Sequence, residues 1–172
     1  MSKHGKRYFN ALKKAPKKEV TLEEAVKWRN AMREKGFKVA VTNGCFDLLH
    51  KGHAVYLDAA RGEADFLLVL VNSDESVRAL KGPTRPLQCE DDRAFLLCSL
   101  KAVDKCVIFN SPRCDRELEA LAPDVYVKGG DYTEDSLDPG ERAALKKSQS
   151  RIVFISFVPG HSSTNIIRKM QV

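Results

Sequence analysis

The chain has 172 residues, which suits one domain with a sizeable hydrophobic core. A hydrophobic content of 43% and a charged content of 30% are ordinary for a soluble globular protein, and no apolar run approaches the ~18 residues of a membrane-spanning helix. The net charge of +6 arises in the first 18 residues, which hold seven of the 29 basic residues and no acid, so that the remainder is nearly neutral with 22 basic and 23 acidic residues.

We expect residues 1–20 to form a basic tail and residues 21–172 to form a single domain. A basic tail can be an arm that binds nucleic acid or a membrane surface, or it can be a solvated leader. Tyr8 and Phe9 are too few for base stacking, which favours the leader. The tail lacks the apolar segment of a secretory signal, and the five cysteines form no CxxC pair. These features favour reduced thiols and a cytoplasmic protein.

The domain begins with a predicted helix over residues 22–34, which Thr21 and Glu24 cap and which Gly36 ends. A strand over residues 38–43 and a helix after His53 follow. In the long helix after residue 90 we expect Phe95, Leu96, Leu97 and Leu100 to face inward. Beyond residue 65 the pattern predicts strands over 66–71, 105–109, 124–128 and 151–157, and helices over 75–80, 90–102, 113–121, 138–147 and 165–170.

This alternation predicts an α/β fold, a doubly wound and mostly parallel five-stranded Rossmann-like sheet. The continuously apolar run from Phe66 to Val71 is typical of a parallel strand that is covered on both faces. Ligands of such sheets bind outside the carboxyl ends of the strands. The unusual loops GCFDLLHKGH, NSD, KGGDY and PGHSST all fall at such ends, which predicts one composite site.

The stretch TNGCFDLLHKGH, residues 42–53, is the centre of that prediction. It runs from a strand through a glycine-containing turn into a helix, with His50 and His53 three residues apart at the helix start. Residues at this spacing share a helix face. The first turn offers unpaired N–H groups and the positive end of the helix dipole, which together bind phosphate. Gly52 lets a ligand approach the backbone closely.

Three other loops carry groups that suit a nucleotide or a sugar phosphate. Residues 162–164 lie at the start of a second predicted helix. Their hydroxyls can bind phosphates or can act only as a helix cap. Lys81 and Arg85 in KGPTRP, and Arg93 after it, are cations that can bind a phosphate or can be solvated. The turn at residues 128–132 can hold a base or ribose, with Asp131 as an acceptor, or can be a plain glycine turn.

HKGH at residues 50–53 fits the HxGH signature of a nucleotidyltransferase superfamily, and GCFDLLHKGH resembles its cytidylyltransferase-like branch. Further stretches resemble, in order, the adenylyltransferase domain of the bacterial heptose pathway over roughly residues 22–170. They are NGCFDLLHKGH, VNSDESVRALKG, EDDRAFLLCSLKAVD, PDVYVKGGDY and GHSSTNIIRKM. That domain often follows a sugar kinase. Because 172 residues leave no room for a kinase, we expect either the stand-alone form or a segment of a longer protein.

The resemblance implies transfer of AMP from ATP to D-glycero-D-manno-heptose 1-phosphate, which releases pyrophosphate and gives ADP-heptose for the lipopolysaccharide core. It implies Mg²⁺ carried by the triphosphate with no metal ligand from protein side chains, and it makes a homodimer plausible. It implies catalytic roles for His50, His53 and Lys81, and sugar-phosphate binding by Lys81, Arg85 and Arg93. The implied nucleotide-binding residues are Asn43, Gly44, Cys45, Phe46, Asp47, His50, His53, Lys128, Gly129, Asp131, Ser162, Ser163 and Thr164.

Three alternatives remain. A cytidylyltransferase that acts on glycerol 3-phosphate or a related polyol phosphate shares the GxFDLLHxGH pattern. A non-catalytic nucleotide-binding module would bind nucleotide without turnover. A nucleic-acid-binding protein would use the basic residues 1–18 and would bind in a salt-sensitive way.

Overall fold

The computed structural model describes residues 17–130, 133–156 and 163–170. Five strands alternate with seven α-helices in this part of the chain, as the sequence predicts. The strands are β1 (Val39–Gly44), β2 (Phe66–Asn72), β3 (Lys105–Phe109), β4 (Val125–Gly129) and β5 (Arg151–Ile155). The helices are α1 (Leu22–Glu34), α2 (Lys51–Gly62), α3 (Asp74–Lys81), α4 (Glu90–Ser99), α5 (Asp115–Leu121), α6 (Pro139–Lys147) and α7 (Ser163–Met170).

The sheet has the order β3-β2-β1-β4-β5 with parallel pairing between all neighbours. The predicted doubly wound Rossmann-like fold is therefore confirmed. Ala40 in the central strand β1 pairs with Leu67 of β2 on one side and with Val125 of β4 on the other. The strand order reverses between β1 and β4, so a crevice opens at their carboxyl ends.

Both faces of the sheet are covered by helices. Ala40 and Leu67 pack in one core with Leu57 of α2 and Leu97 of α4. The alternating residues of the same strands, such as Val41, pack on the other face with helices α1, α5 and α6. Every residue from Leu67 to Val71 is fully buried, because neither face of the strand meets water. This burial explains the continuously apolar run in the sequence.

The start of the domain combines a predicted feature with one that the sequence did not indicate. Thr21 caps α1, and Glu24 completes the predicted capping box. The preceding residues also belong to the folded structure, because the Val20 N–H donates to the Cys106 carbonyl of β3 at 3.0 Å. The Lys18 ammonium bonds to the Leu100 and Val103 carbonyls. The attached part of the chain thus begins before the expected boundary at residue 21.

Helix α4 differs from its prediction in length and in orientation. It ends at Ser99 and not at residue 102, since Leu100 is extended with ψ 139°. The buried face is formed by Ala94, Leu97 and Cys98, at the i, i+3 and i+4 spacing. The expectation that Leu96 faces inward is wrong. Successive residues of a helix point about 100° apart, so Leu96 points away from the core when Leu97 faces it. No helix in the described ranges is long and apolar enough to cross a membrane.

Candidate active site

The two histidines lie together at the start of α2. His50 is the N-cap residue, with φ −143° and ψ 173°, and its Nδ1 accepts a hydrogen bond from the His53 backbone N–H at 3.4 Å. The two imidazole rings stack with their centroids 3.9 Å apart. Both side chains are therefore held at the positive end of the helix dipole, where the helix binds anions most readily.

His53 is a half-buried group that is electrically neutral at neutral pH. Burial, reinforced by His50 and Lys81 and opposed by a hydrogen bond with the Leu48 backbone, lowers the pKa of His53 from 6.5 to about 4. The edge of Phe46 packs against the ring with centroids 5.4 Å apart. Its Nδ1 is buried and bonds to no group in the described part of the chain. His53 is also one of the residues that line the crevice.

The turn before α2 depends on Gly44. Phe46 has φ 47°, a left-handed conformation that a bulky side chain rarely adopts. Its ring folds back over Gly44, where an added Cβ would lie only 3.0 Å from the Phe46 Cε2. Phe46 is 5% exposed and belongs to the core under the site. The glycine therefore allows an aromatic ring to close the floor of the crevice.

Asp47 anchors a neighbouring loop and does not present its carboxylate to a ligand. The side chain is fully buried and pairs with the Arg85 guanidinium. Its Oδ1 accepts from the Leu87 N–H at 2.7 Å and from the Gln88 N–H at 3.2 Å. Asp47 thus joins the turn to the loop after α3, and its expected contact with nucleotide stays a prediction. The Arg85 Nη2 is buried and bonds to no group in the described ranges.

Arg93 is also placed differently from the prediction of a sugar-phosphate contact. Its side chain is 0% exposed, so it cannot lie against a bound sugar phosphate. The guanidinium donates to the carbonyls of Cys45 and Asn72, each at 2.7 Å, to Gln88, and to the Asp74 carboxylate at 2.7 Å. Arg93 therefore ties the ends of β1 and β2 to α4. The guanidinium supplies the hydrogen-bond donors that these carbonyls need because they are buried away from water.

A cleft of about 340 Å³ opens at the carboxyl ends of β1 and β4. Its lining carries the basic groups of His53, Lys81, Arg113 and Lys128, whereas its two buried acids, Asp47 and Glu141, each have a basic partner. Lys81 was expected in the loop KGPTRP, but it is the last residue of α3. Such a lining suits a polyanion. The predicted residues that the cleft brings together are Asn43, Gly44, Cys45, Phe46, Asp47, His53, Lys81, Lys128, Gly129 and Ser163.

Two groups at the cleft were not found from the sequence. Arg113 follows β3, and its guanidinium pairs with Asp138 at 3.2 Å. Glu141 in α6 is 2% exposed and accepts a hydrogen bond from Lys128. A glutamate in the first turn of a helix reads as an ordinary favourable charge, so only the tertiary structure identifies it. Arg113 could have been found from its position after a strand end.

Some predicted residues cannot be placed. Asp131 and Ser162 lie outside the described residues, and for Thr164 the structure gives only its place in α7. Ser163 begins α7, and its hydroxyl donates to the Leu48 carbonyl at 3.3 Å, which links the second helix start to the histidine turn. No group of three or more metal-ligating side chains is present in the described ranges.

Known proteins resemble this chain in sequence and in fold. The sequence model of the cytidylyltransferase-like family matches residues 41–169. A bifunctional protein HldE from Methylobacillus flagellatus is 46% identical over 138 residues, which are 80% of this chain and 28% of that protein. One from Acidiphilium cryptum is 42% identical over 161 residues, 94% of this chain and 32% of that protein. The chain thus spans about a third or less of these curated relatives.

A solved structure is also similar to this chain in fold and in sequence. The lipopolysaccharide core biosynthesis protein from Thermoplasma volcanium has a TM-score of 0.60 and 28% sequence identity to this chain. The match covers 72% of this chain and 99% of that protein.

Proposed function

The chain belongs to the cytidylyltransferase-like family of nucleotidyltransferases, and we propose that it transfers AMP from ATP to a heptose 1-phosphate to give ADP-heptose and pyrophosphate. The observation that carries this proposal is the stacked pair of His50 and His53 at a helix start that opens on a cationic cleft. The resemblance to bifunctional HldE proteins over most of the chain supports the heptose acceptor. These relatives do not favour the cytidylyltransferase alternative.

In the proposed reaction, an oxygen of the acceptor phosphate forms a bond to the α-phosphorus of ATP. The bond between that phosphorus and the bridging oxygen breaks, and pyrophosphate leaves with the electron pair. Negative charge grows on the phosphoryl oxygens, so catalysis consists of positioning and of stabilisation by N–H groups and cations. The chain needs no nucleophile of its own for this step.

His53 acts at the α-phosphate and His50 beside it, with Lys81 supplying positive charge. A neutral His53 donates one ring N–H to a phosphoryl oxygen, and the negative ligand raises its low pKa by attraction. Lys81 and Arg85 bind the acceptor phosphate, with Arg85 oriented by Asp47. Arg93 acts through the backbone of Cys45 and Asn72 and does not touch the sugar phosphate.

The nucleoside lies against Gly129 and Asp131, and residues 162–164 hold the outer phosphates. We propose that Mg²⁺ would be carried by the phosphate oxygens of the triphosphate, as the family resemblance implies. When bound, the ion neutralises charge on the leaving pyrophosphate. We also propose that the protein is cytoplasmic and forms a homodimer, and that the basic residues before residue 17 are solvated.

The decisive assay measures pyrophosphate release for ATP and CTP, each with heptose 1-phosphate and with glycerol 3-phosphate. We expect turnover with ATP and heptose 1-phosphate. Turnover with CTP and glycerol 3-phosphate alone would replace the proposal by the polyol-phosphate alternative. Nucleotide binding without turnover for any pair would indicate a non-catalytic module.

A further inference from the structure

A buried polar network adjoins the cleft at the end of β1. The Asn43 Oδ1 accepts hydrogen bonds from the Tyr126 hydroxyl at 2.8 Å and from the Lys128 ammonium at 3.0 Å. The Lys128 ammonium also bonds to the Tyr126 hydroxyl at 3.0 Å. Two strands, β1 and β4, thus meet through side chains at the switch point of the sheet.

The network determines which way the Asn43 amide faces. An ammonium can only donate, so the Asn43 atom beside Lys128 must be the carbonyl oxygen. Burial raises the pKa of Tyr126 well above 10, so that its hydroxyl stays protonated and can donate to the same oxygen. With Oδ1 occupied on the network side, the NH₂ group is on the other side. Asn43 lines the cleft, and its Nδ2 bonds to no group in the described ranges.

Glu141 is the acid that holds these donors in place. Its side chain is 2% exposed. The Oε2 accepts from Lys128 at 3.3 Å and lies 3.4 Å from the Tyr126 hydroxyl oxygen, whose one proton is donated to Asn43. The Oε1 accepts from the Cys114 N–H at 3.4 Å and from its thiol at 3.3 Å. Since Cys114 precedes α5 and Glu141 lies in α6, the carboxylate is fixed from two elements outside the sheet.

We propose that Glu141 is a positioning residue of this site, which acts through Lys128 to hold the Asn43 amide with its NH₂ group directed into the cleft as a donor to a phosphoryl oxygen. The adjacent ammonium polarises the amide and strengthens its N–H as a donor. The cationic lining of the cleft selects a phosphate as the acceptor of that bond. This inference rests on the proposed function.

The first test is kinetic. Glu141→Gln keeps the shape of the side chain and removes the charge that holds Lys128. Asn43→Asp keeps the shape of the amide and replaces the NH₂ donor by an acceptor. We expect each variant to lose about tenfold in kcat/KM, the effect of one misplaced hydrogen bond to a charged group. Glu119→Gln, which removes a surface carboxylate paired with Lys147, is the matched control and should keep wild-type rates.

The substrate whose KM rises tells which phosphate Asn43 contacts. A higher KM for ATP assigns the α-phosphate or its neighbours, and a higher KM for the acceptor assigns the sugar phosphate. Wild-type kcat and KM values in both Glu141→Gln and Asn43→Asp would overturn the inference.

The second test needs no turnover, so it separates this inference from the proposed function. The side-chain NH₂ signals of Asn43 are followed by NMR while inorganic tripolyphosphate is added. We expect them to shift in the wild type and to shift less in Glu141→Gln at the same saturation. If the His53 ring signals shift and those of Asn43 do not, Asn43 is not a phosphate donor. If Asn43 responds less in Glu141→Gln than in the wild type but no substrate pair turns over, the proposed function fails and the positioning role stands.

Discussion

Replacing Asp47 by Asn tests whether the clamp between the histidine turn and the loop after α3 is structural and functional at once. Asp47 is 1% exposed, pairs with Arg85 and accepts two backbone N–H bonds. An amide at this position keeps one acceptor but turns its NH₂ towards another donor. Removing one partner of a buried ion pair costs about 3–5 kcal/mol, and because Arg85 is 14% exposed we expect a loss near the lower end, about 3 kcal/mol.

The chain offers a matched control at the opposite end of the sheet. Asp104 also pairs with an arginine, Arg61 at 2.9 Å, and also accepts a backbone N–H, that of Leu67 at 2.8 Å. Its side chain is 27% exposed, so Asp104→Asn should cost about 1 kcal/mol. Urea denaturation of both variants gives the two free energies of unfolding.

The same pair of variants separates stability from catalysis. Loosening the loop that carries Arg85 should raise the KM for the acceptor in Asp47→Asn and leave the KM for ATP nearly unchanged. Asp104→Asn should leave both KM values unchanged. An Asp47→Asn variant that is no less stable than Asp104→Asn would refute the reasoning about burial. An unchanged acceptor KM would refute the assignment of the loop to the acceptor.

Three further predictions concern the turn itself. His53→Ala should lower kcat by about 10²–10³ in a pyrophosphate-release assay, the effect of removing one preorganised donor. Wild-type turnover would remove His53 from the mechanism. Because the pKa of His53 is about 4 in the fold and 6.5 in the unfolded chain, the unfolded chain binds more protons between these values. Its contribution to stability should therefore fall as the pH drops from 6.5 to 4, and His53→Gln should lose less stability than the wild type over that range in urea titrations. Gly44→Ala should lower the free energy of unfolding by about 1–3 kcal/mol, because the new Cβ meets the Phe46 ring at 3.0 Å. Gly62→Ala is the control and should cause no loss, because its Cβ would have nothing within 4 Å. Equal melting temperatures of the two variants would contradict the effect of this contact.

The sequence predicted the elements well where local signals are strong. The Thr21 capping box, the apolar run of β2 and the limits of β3 were all found from residues close together in the chain. The end of α4 was missed because no glycine or proline marks it. The carbonyls freed at Leu100 and Val103 are bound by Lys18, which is more than 80 residues away in sequence.

The candidate site was predicted with the same strengths and failures. The pairing of His50 and His53 follows from helical spacing, and the structure has it. The family resemblance implies a nucleotide contact for Asp47 and a sugar-phosphate contact for Arg93. Both side chains are fully buried, and each forms hydrogen bonds with groups from distant parts of the chain. Burial depends on every element that packs around a side chain, so a local pattern cannot supply it.

The sequence by itself determined the family, the parallel sheet and the histidine turn, because these depend on short-range spacing and on the period of apolar residues. Only the tertiary structure decided which charged groups face the cleft and which serve the fold. It places Asp47, Arg93 and Glu141 inside hydrogen-bond networks, and it leaves His53 and the Asn43 amide at the cleft with atoms that have no partner in the described part of the chain. The physical reason is that a polar group removed from water must find a partner, and the partner is set by the fold and not by neighbours in sequence.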